Sequence, residues 1–451
     1  MKTSPSTASE IEEEVLARVR PTPEDGERIR MVADSILTRI SDLAKERGLP
    51  AQTMLVGSAA RGTWLAGDHD LDIFIATPKG SELDDALNLA RAMAPEHEEK
   101  YAEHPYVHAT IEGFDVDLVP CYLLENTSSL KSAVDRTPFH TRYVLGRIKG
   151  LEDQVLLLKQ FMKGIGVYGS ELKVGGFSGY LSELLVLRYG SFMGTLEEAS
   201  GWRPREIIDL EGMGTLSHGE PLVVVDPVDP KRNVAAALTL DKMLQFAASA
   251  RCFIKGPSLD FFFPGRIRPL TDEELIKIME ERKSAFILLE VSAPPVVEDI
   301  LFPQLRKAEE SIRALLTRNE FSVMRSDVES AEGLAWVLFE LDVWELPRIM
   351  RRFGPPIYEG DHLSRFISSH PRPISGPYVE GGRAVVEVKR KYTKAWDLLE
   401  GEMSKLSLGK HLATEVQKGH SIYVGPTLTK VKVPALRTFL ARYFSRRQRI
   451  C

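Results

Sequence analysis

Apolar positions near the start of the chain recur at helical spacing. Ile11, Val15, Leu16 and Val19 form one set, and Ile29, Val32, Ile36, Leu37 and Ile40 form another. The pattern predicts helices across residues 10–48, broken at Pro21 and Pro23 because proline cannot supply a helical N–H. The period then shortens. Residues 53–56 are an apolar run stopped by Gly57-Ser58, and Leu71-Asp72-Ile73-Phe74-Ile75 alternates acidic with apolar. Residues 107–111 and 114–120 flank Glu112-Gly113, which signals a hairpin. This order of elements predicts a small α/β or α+β domain ending near residue 145.

Helical spacing returns at Leu151, Val155, Leu158, Phe161, Met162 and Ile165, and again over residues 180–189. A strand is predicted at 222–226, closed by Asp226-Pro227 and Asp229-Pro230, with a further helix over 234–254. Pro257, Pro264 and Pro269 mark a boundary. Beyond it, strand candidates at 285–291, 334–341 and 383–388 mix with a helix over 300–318. The expectation is therefore an α+β multi-domain chain divided at 1–145, 146–265 and 266–451.

Composition narrows the class. The 451 residues include 58 basic and 64 acidic side chains, a net charge of −6, which excludes a uniformly basic nucleic-acid coat but leaves a local basic path open. Residues 421–451 carry seven Lys/Arg and no Asp/Glu, so they read either as a phosphate-contacting tail or as a solvated basic end. Three scattered cysteines, Cys121, Cys252 and Cys451, suggest no disulfide framework and a reducing compartment. No apolar run is long enough to span a membrane, and the acidic, amphipathic start does not resemble a secretory signal. A cytoplasmic protein is expected.

The chemistry concentrates in two acidic pairs. Asp70 and Asp72 stand two apart on a predicted strand, so both carboxylates face one side, where they repel each other unless a cation intervenes. Hard oxygen donors of this kind suit Mg²⁺. Gly57-Ser58 and Arg61 offer backbone N–H groups, a hydroxyl and a guanidinium to a triphosphate. Alone, the same string also reads as a turn followed by a solvent-facing strand end. Asp115 and Asp117 repeat the spacing. With that strand beside the first, Asp117 completes a three-carboxylate, two-metal arrangement for in-line displacement, and Asp115 is the solvated hairpin end. Gly164-Ile165-Gly166-Val167-Tyr168-Gly169 fits GxGxxG but follows an apolar helix instead of a strand, so it is not read as a dinucleotide site. Neither a Walker A pattern nor HExxH occurs.

The set Gly57-Ser58, Asp70-x-Asp72 and Asp117 resembles the nucleotidyltransferase superfamily of DNA polymerase beta and the poly(A) polymerases. VGSAARGTWL, VDLVPCY, KSAVDRTPFHTRYV, ELKVGGFSGYLSELLVL, VVVDPVDPKRNVAAAL and FPQLRKAEESI resemble, more narrowly, the archaeal-type (class I) CCA-adding enzymes. Many relatives carry Glu where Asp70 stands, one methylene longer. The resemblance implies template-free addition of C, C and A to the tRNA 3′ end from CTP and ATP. It implies metal ligation by Asp70, Asp72 and Asp117, and triphosphate binding by Ser58, Arg61, His140, Lys159 and Tyr168. Arg232, helped by tRNA phosphates, would read the base. It also implies a polymerase-beta-like catalytic domain, a helical central domain completing the nucleotide pocket, a C-terminal tRNA-binding part and a homodimer. By residue type alone, Lys159 reads instead as a solvated helix residue, His140 as a capped loop histidine, Tyr168 as a core ring with a satisfied hydroxyl and Arg232 as a surface cation at a helix start. Another template-free polymerase, such as a poly(A) polymerase, and a catalytically silent RNA-binding protein are the alternatives.

Overall fold

The computed structural model describes residues 7–101, 103–214 and 219–445, in two compact units that part between Gly265 and Arg266. The first unit opens with α1 (Ala8–Val19) and α2 (Pro23–Glu46). Each starts from a reciprocal threonine cap, Thr7 with Glu10 and Thr22 with Asp25. Pro23 sits in the first turn of α2, where its missing N–H costs no helical bond.

There follow β1 (Gln52–Val56), α3 (Gly57–Arg61), β2 (Asp70–Pro78), α4 (Leu83–Met93), β3 (Glu98–Tyr101), β4 (Pro105–Ile111) and β5 (Phe114–Leu123). Their sheet has the order β1-β2-β5-β4-β3, with β2 and β5 parallel and the other neighbours antiparallel. The predicted hairpin turns at Glu112-Gly113, whose φ values of 52° and 83° are those of a two-residue primed turn. Leu71, Ile73 and Ile75 of β2 and Val116 and Leu118 of β5 face α2 and α4 and form one buried core. Side chains alternate across a strand, so Asp70, Asp72 and Asp117 share the opposite face.

The rest of this unit comprises α5 (Thr137–Leu145), α6 (Glu152–Gly164), α7 (Gly179–Tyr189), α8 (Phe192–Ser200), β6 (Glu206–Asp209), β7 (Leu222–Asp226), β8 (Asp229–Asn233) and α9 (Leu240–Lys255). Phe161, Phe177, Phe192, Phe246 and Phe253 centre its core, and Ile11, Val15 and Val19 of α1 join them. The chain's first helix thus packs with the later helices instead of with the sheet it precedes.

Two expectations are corrected here. Asp229-Pro230 opens strand β8 instead of closing a strand, and the helix expected from 234 begins only at Leu240. The cause is Asn233. Its Oδ1 accepts from the Val224 and Ala235 N–H groups at 2.9 Å each, and its Nδ2 donates to the Leu222 carbonyl at 3.0 Å, stitching residues 233–235 onto β7. Among the described residues Cys121 is free and buried, and Cys451 lies outside them.

The second unit contains α10 (Asp272–Arg282), β9 (Ala285–Ser292), α11 (Glu298–Arg318), β10 (Ser322–Ala331), β11 (Leu334–Val343), β12 (Ile349–Pro356), α12 (Gly360–Ser369), β13 (Ser375–Glu380), β14 (Arg383–Lys389), α13 (Ala395–Glu402), α14 (Lys410–Lys418), β15 (His420–Val424) and α15 (Pro434–Phe444). An antiparallel sheet of order β10-β11-β9-β15 carries α11 on one face, against Ile287, Leu289, Val337 and Phe339. On the other face α10 and α15 cover Phe286, Leu288, Trp336 and Leu338. A separate sheet has the order β12-β14-β13. Among the described residues of the basic C-terminal stretch, three are engaged within this unit. Lys432 and Arg437 pair with Asp272, and Arg442 pairs with Glu329. Residues 446–451, which end that stretch, lie outside the described residues, as do residues 1–6. Among the described residues no helix is long and apolar enough to cross a membrane.

Candidate active site

The strand register puts the acidic pairs side by side. Parallel pairing of β2 with β5 sets Asp70 opposite Asp115 and Asp72 opposite Asp117. Asp70 and Asp115 are exposed at the strand starts, while Asp72 and Asp117 lie deeper. Burial first, and then the Asp117 charge, push Asp72 up to about 6, with Asp70 adding and Arg61 opposing. Asp70 is also raised, by burial and by Asp68, Asp115 and Asp117. A cation at this face would remove that cost. Asp117 Oδ1 lies 2.6 Å from His108 Nδ1 on the neighbouring β4. The described residues contain no ready-made group of three metal-ligating side chains. The hard oxygen donors nevertheless fit a divalent cation in chemistry, and Gly57 leaves the Asp72 carboxylate its space, since a Cβ there would stand 2.0 Å from Oδ2.

Beside the carboxylates stands a buried cationic set. Ser58 and Arg61 lie on α3, directly after β1. Arg61 Nε donates to Glu183 Oε1 at 2.9 Å and its NH1 to Thr141 Oγ1 at 3.2 Å, while the Thr63 hydroxyl donates to the same Glu183 oxygen at 2.5 Å. Lys159, on α6, donates through Nζ to the Thr63 carbonyl at 2.7 Å. Burial draws its ammonium down to about 8, partly offset by Glu183. A Cβ added to Gly179 would lie 3.1 Å from the Tyr168 hydroxyl and 3.6 Å from Lys159 Nζ, so both polar ends meet at the start of α7. Burial, followed by Asp68 and Glu183, pushes the Tyr168 phenol up and keeps it protonated.

His140 and Thr141 are consecutive on α5 and point to different partners. While Thr141 meets Arg61, His140 Nε2 lies 2.8 Å from Asp226 Oδ2. Burial lowers His140 more than Asp226 restores it, so the ring is neutral near pH 7 and its Nε2–H donates to the carboxylate. Arg232 NH1 donates to the same oxygen at 2.8 Å. Arg232 therefore stands on β8 and not at a helix start, and it lines a cleft of about 1030 Å³ together with Arg136, Ser178, Asp229 and Lys231. The structure thus gathers Ser58, Arg61, Lys159 and Tyr168 near the carboxylates, with His140 adjoining. Arg232 reaches this set through Asp226 Oδ2, which it shares with His140.

Sequence reasoning missed Glu183, Asp226, Asp229 and Tyr180. Glu183 and Asp226 are fully buried, and Asp229 takes Arg136 Nε at 2.7 Å. A signal existed for two of them. Glu183 interrupts an apolar helical run, and Asp226 ends a strand of four consecutive buried apolar residues; acids in such places need a buried cation or donor.

Three family models match successive parts of the chain. Residues 37–140 fit a nucleotidyltransferase domain, 153–263 the second domain of tRNA nucleotidyltransferase, and 282–425 the C-terminal domain of CCA-adding enzyme. A nucleotidyltransferase is therefore the class that the sheet and its acidic face define. The CCA-adding enzyme of Methanosarcina barkeri is 44% identical, covering 98% of this chain and 100% of that protein. That of Methanothermobacter thermautotrophicus is 44% identical over 90% of this chain and 92% of its own length, and that of Archaeoglobus fulgidus is 39% identical over 94% and 97%. The chain belongs to the CCA-adding enzyme family. Among solved structures, an E. coli CdnC with ATP aligns at a TM-score of 0.45 and 19% identity, covering 57% of this chain and 94% of that one.

Proposed function

We propose that this protein adds C, C and A to the 3′ end of immature or damaged tRNA, using CTP and ATP and releasing pyrophosphate without a nucleic-acid template. The observation that carries this is the Asp72–Asp117 register beside the Arg61–Lys159 cations, in a chain 44% identical to a CCA-adding enzyme along almost its whole length.

In this mechanism the terminal tRNA 3′-oxygen bonds to the α-phosphorus, the bond from that phosphorus to the leaving pyrophosphate breaks, and the hydroxyl proton is released to solvent. Asp70, Asp72 and Asp117 would hold divalent cations, Mg²⁺ in this proposal, which would lower the pKa of the attacking hydroxyl and neutralise charge on the leaving pyrophosphate. Ser58, Arg61, Lys159 and Tyr168 donate to the triphosphate, and His140 joins them when protonated at Nδ1. Arg232, with tRNA phosphates, reads the Watson–Crick edge of cytosine or adenine, because a guanidinium only donates and a phosphate only accepts. Residues 1–145 form the catalytic domain, 146–265 complete the nucleotide pocket, and 266–451 bind the tRNA acceptor stem by shape and phosphates. A homodimer acting in the cytoplasm completes the proposal.

The test is incorporation into tRNA transcripts that end before CCA, with Mg²⁺ and each nucleotide alone, then CTP and ATP together. Two C residues from CTP, and one terminal A only after them, are expected. Long A tails would identify a poly(A) polymerase, and tRNA binding without incorporation would leave an RNA-binding protein. Arg232→Ala is expected to blur the preference for CTP and ATP over UTP and GTP, and unchanged selectivity would remove Arg232 from base reading.

A further inference from the structure

Asp226 is held by four groups, two from its own stretch of chain, Val228 and Arg232, and two from far along the sequence, His140 and Tyr180. It ends β7 and is fully buried. Its Oδ2 takes both His140 Nε2, from α5, and Arg232 NH1, from β8, at 2.8 Å each. Its Oδ1 accepts the Val228 N–H at 3.1 Å and the Tyr180 hydroxyl, from α7, at 3.4 Å. The Tyr180 ring in turn stacks on the His140 ring, with centroids 4.1 Å apart. Bonds on Oδ1 prevent the carboxylate from turning, so His140 and Arg232 must share the one remaining oxygen. Burial alone would raise this carboxyl, but His140, Val228 and Arg232 together hold it below the usual carboxylate value, so the hub is an anion at neutral pH. Buried anions shared by two donors make those donors interdependent, because a shift of one changes the hold on the other.

We infer that Asp226 is a positioning residue that couples base reading to triphosphate binding, by tying the guanidinium of Arg232 and the imidazole of His140 to one fixed oxygen. This rests on the proposed roles of His140 and Arg232 above. Held through NH1, the guanidinium keeps its other N–H groups for a base edge; held through Nε2–H, the imidazole keeps Nδ1 on the side of the phosphate, to which it donates once a proton is taken up there. Engagement at either end redistributes the shared bond, so that each half of the nucleotide is bound more or less tightly according to how the other half sits.

The experiment uses inorganic tripolyphosphate, which has no base, with Mg²⁺ and the full-length protein in isothermal titration calorimetry. Affinity is measured for the wild type, His140→Ala, Arg232→Ala and the double variant. Non-specific loss of charge multiplies across such a cycle and cancels. The expected result is that the effect of His140→Ala differs at least about fivefold between the backgrounds with and without Arg232, a coupling of the size seen for residues in one hydrogen-bond network. In Asp226→Asn the same cycle is expected to become multiplicative. Arg232 is partly exposed, so Arg232→Ala is expected to fold, and the first comparison decides even where Asp226→Asn fails to fold. A His140→Ala effect that is real but equal in both backgrounds overturns the coupling and leaves the role of His140 standing. No effect of His140→Ala in either background overturns both. Coupling that persists undiminished in a folded Asp226→Asn protein overturns the assignment to Asp226.

Discussion

Gly57 contributes no functional group, yet it is among the most constrained residues of the site. Its φ of 72° lies in the left-handed region, and an added Cβ would stand 2.0 Å from Asp72 Oδ2 and 3.0 Å from Asp72 Cγ. Asp72 is short and anchored on β2, so it cannot yield without moving its carboxylate. Gly57→Ala is therefore expected to cut incorporation about 100-fold, as an ångström of misplacement does, with only a small fall in melting temperature; full activity would show that the Asp72 position is not critical. Lys159 allows a second test at this scale. Its ammonium is drawn down to about 8 by burial, so the charge is present below that value and lost as pH rises through it. The KM for CTP, measured between about pH 7 and about pH 9, is expected to climb above pH 8, since only the charged form attracts a triphosphate. A flat KM would mean that Lys159 serves the Thr63 carbonyl alone.

At the scale of elements, Gly164 explains why a glycine pattern occurs where no dinucleotide binds. It ends α6, and a Cβ there would meet the Phe261 and Phe262 carbonyl oxygens at 2.1 and 2.6 Å. These are backbone atoms and cannot swing aside. Gly164→Ala is expected to destabilise the fold by about 1–3 kcal/mol or more, the cost of overpacking, read as a lower urea midpoint; an unchanged midpoint would mean that the 259–262 turn is free to move. The GxGxxG spacing was visible in the sequence, but the reason for its first glycine lies about a hundred residues downstream. The same distinction separates what was legible from what was not. Helical spacing and short apolar runs placed α1, α2, α6, α7, β9, β11 and α11 nearly to their ends, the alternation over 71–75 placed the middle of β2, and Glu112-Gly113 placed the hairpin, because these depend on local burial and turn chemistry. The parallel contact of β2 with β5, which turns two acidic pairs into one face, is a long-range register, so the sequence allowed it without requiring it. Glu183 and Asp226 escaped for a related reason. Each acts through a cation on another element, and a single strand or helix does not reveal its partner. The start of α9 was misplaced because Asn233 uses its side chain as a backbone substitute, which propensity alone favours only weakly.

At the scale of the whole molecule, the proposed chemistry and the proposed grip on tRNA belong to different units. All the candidate catalytic and nucleotide-binding residues fall within the first 265 residues, whereas the family's C-terminal domain occupies 282–425 of the second unit. Binding of an RNA duplex rests on many phosphate contacts, each contributing to the salt dependence of affinity. A carboxylate contributes nothing favourable to such contacts, and truncating one removes a negative charge from the protein. Asp117→Ala should accordingly abolish incorporation while leaving the affinity for tRNA lacking CCA within about threefold of the wild type and the slope of log affinity against log salt unchanged. Asp117 also holds His108 at 2.6 Å, so a loss of melting temperature of a few degrees is expected from the broken pair. Should tRNA affinity collapse along with incorporation, in a variant that still melts cooperatively, Asp117 would be organising an RNA surface and not a metal-dependent reaction. In that case the grip on the acceptor stem would lie at the acidic face of the sheet and not in the second unit alone.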